Sequence, residues 1–221
     1  MNVLLFGASG MVGKAVLLEC CDDPRVESIL SVGRSPCGVL HPKLTELQHT
    51  DFFDFSSLRS QFASIDACFF CLGVSAAGKS EADYARLTFD LTMAAASVLK
   101  EARPDAVFTY VSGAGTDSSE RGETMWARVK GRTENALLQM FPKSYMFRPA
   151  IIVPMRGVHS KTFPYELFYT AFRPLLPKFP QWFPKQTTTS VALGRAMINV
   201  AANGEATRVL ETPDINRIGG T

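Results

Sequence analysis

No stretch of this chain is apolar for long enough to cross a bilayer, and no run of lysine and arginine forms a basic arm. The first absence argues against a membrane-spanning protein. The second argues against a nucleic-acid partner. The formal charge of +2 favours no anionic partner in either direction. A charged leader and cleavage site are also missing, because the first strand-like run starts at residue 2; a cytoplasmic protein is expected. Histidine is scarce: His41, His49 and His159 lack metal-ligand spacing and read as surface or loop residues, so no metal site is expected. There is no internal repeat and no low-complexity tail.

Cysteine is present without a framework. Cys20, Cys21, Cys37, Cys68 and Cys71 are odd in number and irregularly spaced, which suits a reducing compartment. Cys68-Phe-Phe-Cys71 has the spacing of a redox pair but lies in a strand-like run. Side chains three apart in a strand point to opposite faces, so these two read as core residues.

With 46% apolar and 20% charged residues over 221 positions, the chain suits one α/β domain with a large core. Strand-like runs fall near 2–7, 28–33, 45–49, 67–72, 106–112 and 145–152. Helix-like segments fall near 11–22, 54–63, 80–102 and 124–140. This alternation predicts a doubly wound parallel sheet covered on both faces. Ser80-Glu81-Ala82-Asp83 reads as a helix start. Residues 153–190 differ in texture, with Phe163, Tyr165, Phe168, Tyr169, Phe172, Phe179, Trp182 and Phe183 among several prolines. They predict a small lid over the open end of the sheet, within a domain that spans 1–221. A helix near 189–202 and a strand near 207–211 follow.

The first strand runs into Gly7-Ala8-Ser9-Gly10-Met11-Val12-Gly13. Gly7 permits a tight turn, Gly10 lets backbone N–H groups approach phosphates, and Gly13 brings the helix close to the strand. The amides of Ser9, Met11 and Val12 would share the helix N-terminus with a dinucleotide pyrophosphate. Gly13-Lys14-Ala15 is a near miss to a P-loop, which would need glycine at Ala8 and a hydroxyl at Ala15. The second strand ends in Gly33-Arg34-Ser35. A guanidinium and a hydroxyl suit a 2′-phosphate where an NAD site would place a carboxylate, so NADP(H) is expected over NAD(H). Asp51 and Phe52 stand where adenine would lie, and Cys71-Leu72-Gly73 ends the fourth strand beside the glycine turn.

Taken with Ser112, Lys130 and Phe147-Arg148-Pro149, these residues resemble the short-chain dehydrogenase/reductase superfamily in its extended, atypical branch. Within it they look like the Tat-interacting-protein-like NADPH-binding group. The resemblance implies a Tyr-x-x-x-Lys pair on one helix and a hydroxyl at the end of the fifth strand. Here Lys130 remains, Trp126 occupies the tyrosine position, and the hydroxyl position falls on Ser112 or Gly113. An indole N–H donates a hydrogen bond but is no acid near neutral pH. Lys130, Arg148 and Pro149 carry over as cofactor-site residues. Tyr84, Tyr110, Tyr165 and Tyr169 read as packing.

Two functions follow from the resemblance. One is an NADP(H)-dependent oxidoreductase or epimerase-like enzyme, for which the aromatic lid argues for a small, largely apolar carbonyl substrate. The other is an NADPH-sensing protein without catalysis, whose lid presents a surface to a protein partner. Peripheral membrane contact through 163–183 is a lesser reading, since a buried lid explains the same aromatics.

Overall fold

The computed structural model describes residues 1–158 and 182–220. Seven parallel strands form one sheet in the order β3-β2-β1-β4-β5-β6-β9. They are β1 (Asn2–Phe6), β2 (Ser28–Gly33), β3 (Leu44–Gln48), β4 (Ala67–Phe70), β5 (Val107–Val111), β6 (Ser144–Arg148) and β9 (Val209–Glu211). The central strands are apolar at nearly every position because both faces are covered. Chain order reverses between β1 and β4, which opens a crevice at their C-terminal ends.

Helices α1 (Met11–Asp22) and α6 (Ser190–Asn203) pack together on one face, and α7 (Thr212–Gly219) packs on α6. Their core joins Val16, Leu17 and Cys20 to Met197 and Ile215. The other face carries α2 (Arg59–Phe62), α3 (Glu81–Ala85), α4 (Leu91–Ala102) and α5 (Met125–Met140). A phenylalanine cluster fills it, with Phe6 against Phe55 at 5.4 Å and Phe108 against Phe141 at 5.1 Å between ring centres.

Four expectations are corrected. The segment at 80–102 is interrupted by a π turn at Arg86–Asp90 between α3 and α4. The Phe89 ring of that turn lies under the Arg132 guanidinium, 4.0 Å from it, a contact that periodicity does not reveal. The start at Ser80 is as expected: its hydroxyl accepts the Asp83 N–H at 3.1 Å. The strand at 145–152 breaks after Arg148, because Pro149 has no N–H to donate to a ladder. The chain resumes as β7 (Ile151–Val153), which pairs with β8 (Thr187–Thr189) in a separate parallel ribbon. The segment at 54–63 is a short 3-10 turn, Ser56–Leu58, followed by α2. Finally, α7 was not expected; Pro213 in its first turn and a capping box between Glu211 and Asp214 are its signals.

His159 and most of the aromatic segment, from Phe163 to Pro180 with Tyr165 and Tyr169, lie outside the described residues. Among the described residues, no helix is long and apolar enough to cross a membrane, and no cluster of acidic, histidine and cysteine side chains could hold a metal ion.

Candidate functional site

The crevice begins at the glycine turn. Gly7 has φ +87°, and a Cβ there would lie 2.8 Å from the carbonyl carbon of Cys71. A Cβ at Gly13 would lie 2.1 Å from the Gly7 oxygen. Both glycines are therefore demanded by the chain itself, one by backbone conformation and one by helix–strand approach. Gly10 differs. Its φ of −89° and ψ of 167° suit any residue, and a Cβ there would meet only the Gly7 oxygen at 3.4 Å, an ordinary contact. Its N–H donates to that same oxygen at 2.9 Å. Neither space nor conformation requires glycine at position 10.

Helix α1 starts at Gly10 with no side-chain cap and no acid in its first turn. The N–H groups of Met11, Val12 and Gly13 have no acceptor inside the helix. They add to the positive end of the helix dipole, beside the exposed Ser9. Such a donor set fits a pyrophosphate, and the bare Cα of Gly10 leaves room for one.

Next to it, Arg34 and Ser35 stand exposed at the end of β2. Asp51 is exposed and accepts the Phe53 N–H at 2.9 Å. Phe52 departs from the expected open ring: it is buried, packed edge-on to Phe55 at 5.4 Å and near His49. Its apolar neighbours in the phenylalanine cluster win the ring. Cys71 and Leu72 are half-buried and Gly73 is exposed. All five cysteines are free. Burial raises the Cys71 thiol pKa above its ordinary value, so it is not poised as a thiolate.

At the end of β5 the polar groups are tied to one another. Trp126, Lys130 and Glu134 occupy successive turns on one face of α5. The Trp126 indole lies against the Gly113–Gly115 turn, since a Cβ at Gly115 would be 3.5 Å from its ring. Lys130 Nζ donates to the main-chain oxygen of Ser112. Burial lowers the Lys130 pKa to about 8, while the Glu134 charge acts in the opposite direction. The Ser112 hydroxyl donates to Glu134 Oε1 at 2.5 Å. Glu134 is fully buried and is gripped by Arg148, whose Nε donates to both carboxylate oxygens at 3.1 Å. Arg148 also donates to Ser118 Oγ at 2.6 Å. Pro149 lends its carbonyl to the Ala114 N–H at 3.0 Å.

Glu134 did not figure among the expected residues. Its signal was available: it stands four residues beyond Lys130, on the same helical face. Of the four candidate tyrosines, the two among the described residues are sealed away. Tyr84 and Tyr110 are both buried, and desolvation raises the pKa of each. Asp117 organises the loop before α5: bonds from the Ser119 hydroxyl and the Gly122 N–H bring its pKa to about 2. That loop packs so closely on α5 that a Cβ at Gly131 would overlap the Asp117 carbonyl oxygen.

No family model matches the chain. Two curated proteins resemble it over almost its whole length. It is 28% identical over 216 residues to the protein fmp52, mitochondrial, of Emericella nidulans, covering 92% of this chain and 90% of that one. It is 24% identical over 223 residues to HTATIP2 of Rattus norvegicus, covering 99% and 89%. The solved structure of the Bordetella bronchiseptica enzyme WbmH, in complex with NAD+, superposes with a TM-score of 0.69 at 15% identity, covering 95% of this chain and 74% of that one. The parallel sheet with its crossover at β1 and β4 is a Rossmann-like α/β fold. By fold, glycine turn and relatives, the chain is similar to short-chain dehydrogenase/reductase-like proteins of the atypical, HTATIP2-like kind.

Proposed function

We propose that this protein binds NADP(H) along the C-terminal edge of its sheet. The observation that carries the reading is Gly10: a glycine that neither backbone conformation nor packing requires, at an uncapped helix N-terminus. The amides of Ser9, Met11, Val12 and Gly13 would hold the pyrophosphate, with Gly7 shaping the turn and Cys71-Leu72-Gly73 as its opposite wall. Arg34 and Ser35 would take the adenosine 2′-phosphate, and the Asp51 carboxylate would accept from the adenine amino group. Lys130 would turn from the Ser112 carbonyl to the hydroxyls of the nicotinamide ribose. Arg148 and Pro149 would support this end from behind, through Glu134 and Ala114.

When bound, the coenzyme supplies a hydride to a carbonyl carbon. The chain's own residues orient the reactants and exclude water. A small, largely apolar carbonyl compound suits an oxidoreductase or epimerase-like reaction here, with Trp126 in place of a proton-donating tyrosine. One observation favours a second reading, an NADPH sensor that presents its bound state to a protein partner. The Ser112 hydroxyl proton is committed to Glu134, and Tyr84 and Tyr110 are buried, so neither tyrosine offers an exposed phenol. The free thiols support a reducing compartment, the cytoplasm by our reading; fractionation of cells would separate it from the mitochondrial location that the Emericella nidulans relative carries in its name.

The test is direct titration of the purified chain with NADPH and NADH, followed by turnover of an aliphatic and aromatic carbonyl panel. Arg34→Ala should weaken NADPH far more than NADH; equal losses would refute the phosphate assignment. No association with either coenzyme would overturn the whole reading. For the enzyme, Trp126→Tyr should raise NADPH consumption on the order of a hundredfold. A variant as silent as the wild type leaves the sensor as the better account.

A further inference from the structure

Lys14 belongs to none of the roles assigned so far. It follows Gly13 in the first turn of α1, half-buried. In a P-loop a lysine at this point would reach phosphates at the helix N-terminus. Here its Nζ lies instead 3.5 Å from the main-chain oxygen of Cys37. Cys37 belongs to the loop that follows β2, two residues after Ser35. The loop is held in place, because Cys37 is buried and its N–H donates to the Glu46 carboxylate at 2.7 Å. The lysine thus reaches sideways from the helix to the loop that carries Arg34.

Among the described residues, no acid pairs with this ammonium. At 3.5 Å the contact with Cys37 is at the outer limit of a hydrogen bond. The first turn of α1 holds no acid, so the ammonium sits unopposed at the positive end of a helix dipole, an unfavourable place for it. Among the described residues, neither Lys14 nor Arg34 forms a salt bridge, although Arg25, Arg128, Arg148 and Arg156 all do. The acid that reaches this loop, Glu46, accepts from the Cys37 N–H. Two cations without a salt bridge, Arg34 leading into this anchored loop and Lys14 touching its Cys37 carbonyl, offer a place for a compact dianion.

We propose that Lys14 is a second ligand of the coenzyme's adenosine 2′-phosphate and, with Arg34, sets the preference for NADP(H). This deepens the NADP(H) reading and rests on it. Arg34 supplies a planar fork from the solvent side. Lys14 supplies a point charge from the helix side, and the arriving phosphate relieves its conflict with the helix dipole. The P-loop near miss in the sequence is then a lysine with a different task.

Calorimetric titration of the full chain with NADPH, NADH, 2′,5′-ADP and inorganic phosphate tests this. Lys14→Met should weaken NADPH and 2′,5′-ADP about tenfold, the scale of one lost bond to a charged group, and leave NADH within about twofold. Lys14→Arg should keep the preference, and Lys14→Met combined with Arg34→Met should abolish it. Parallel losses for NADPH and NADH, unchanged NADPH affinity, or inorganic phosphate binding as tightly as 2′,5′-ADP would each overturn the proposal. A wild type that binds neither coenzyme would overturn the NADP(H) reading itself, and one that binds both equally would overturn the phosphate preference. Thermal unfolding of ligand-free Lys14→Met should match or slightly exceed wild type, since a cation leaves the positive helix end; a large drop would mean that Lys14 is there for packing.

Discussion

Along one edge of the sheet, the β1–α1 turn leaves its polar groups open, whereas the end of β5 closes its polar groups on one another. At the turn, the first amides of α1 have no acceptor in the helix, and Lys14 and Arg34 have no acidic partner among the described residues. At the end of β5, Ser112, Lys130, Glu134 and Arg148 form a connected set in which the Ser112 hydroxyl and the Arg148 guanidinium both act on one buried carboxylate. Open donors cost little at a water-exposed surface and are ready for an anion. Buried charges must be paired, and a paired group is not free to act on a substrate. One half of the crevice thus keeps its donors open, and the other half ties its polar groups to one another.

That contrast can be broken by substitution, and the largest effects should come from backbone crowding. Gly13→Ala would drive a Cβ to 2.1 Å from the Gly7 oxygen. It should cost about 3 kcal/mol or more in urea unfolding, whatever ligand is present. A stable Gly13→Ala protein would mean that helix and strand are not in contact as described.

At the other half, Glu134→Ala should be comparably severe. It leaves the Arg148 guanidinium buried without its main partner, a loss of about 3–5 kcal/mol by denaturant titration. If the variant unfolds like wild type, the network at β5 is solvated and the contrast fails.

The turn should respond in the opposite sense to a change at its open position. Gly10→Ala meets only an ordinary contact, so stability should fall by no more than about 1 kcal/mol, the cost of a poorer N-cap. NADPH affinity should nevertheless drop by at least about tenfold, since a methyl group would stand where phosphate oxygens approach. Loss of fold without loss of affinity would reverse the roles given to Gly10 and Gly13.

The smallest effect is a pH dependence. Lys130 titrates near 8 in the folded chain against an ordinary 10.5. Between those values the unfolded chain binds more protons, so stability should rise with pH across that window. Below pH 8 both forms are charged and the folded state bears the full cost of burying the ammonium. Lys130→Met should therefore flatten the profile of unfolding free energy between pH 7 and 10. An unchanged slope would show that the ammonium is solvated.

Much of this was legible from residue order. The glycine spacing, the positions of β1, α1 and β2, and the serine cap at Ser80 follow from local rules about strands, turns and helix starts. The π turn at Arg86–Asp90 and the break after Arg148 were not, because each reflects how a segment fits its neighbours. Phe52 shows the limit at the candidate site. By position it stands beside the adenine place, yet its ring is claimed by Phe55 and His49. Glu134 shows the converse, a residue whose importance rests on being fully buried beside Arg148.

The sequence by itself determined the strand–helix alternation and the glycine turn, because steric rules on φ, ψ and side-chain alternation act over a few residues. It also placed Lys130 and Trp126 one turn apart, since helical periodicity does that without further help. Only the tertiary structure decided which polar groups stay open and which are consumed. Pairing depends on burial and on partners brought together from distant segments, as when Arg148 meets Glu134 or Lys14 reaches the loop after β2, and no local rule can assign either.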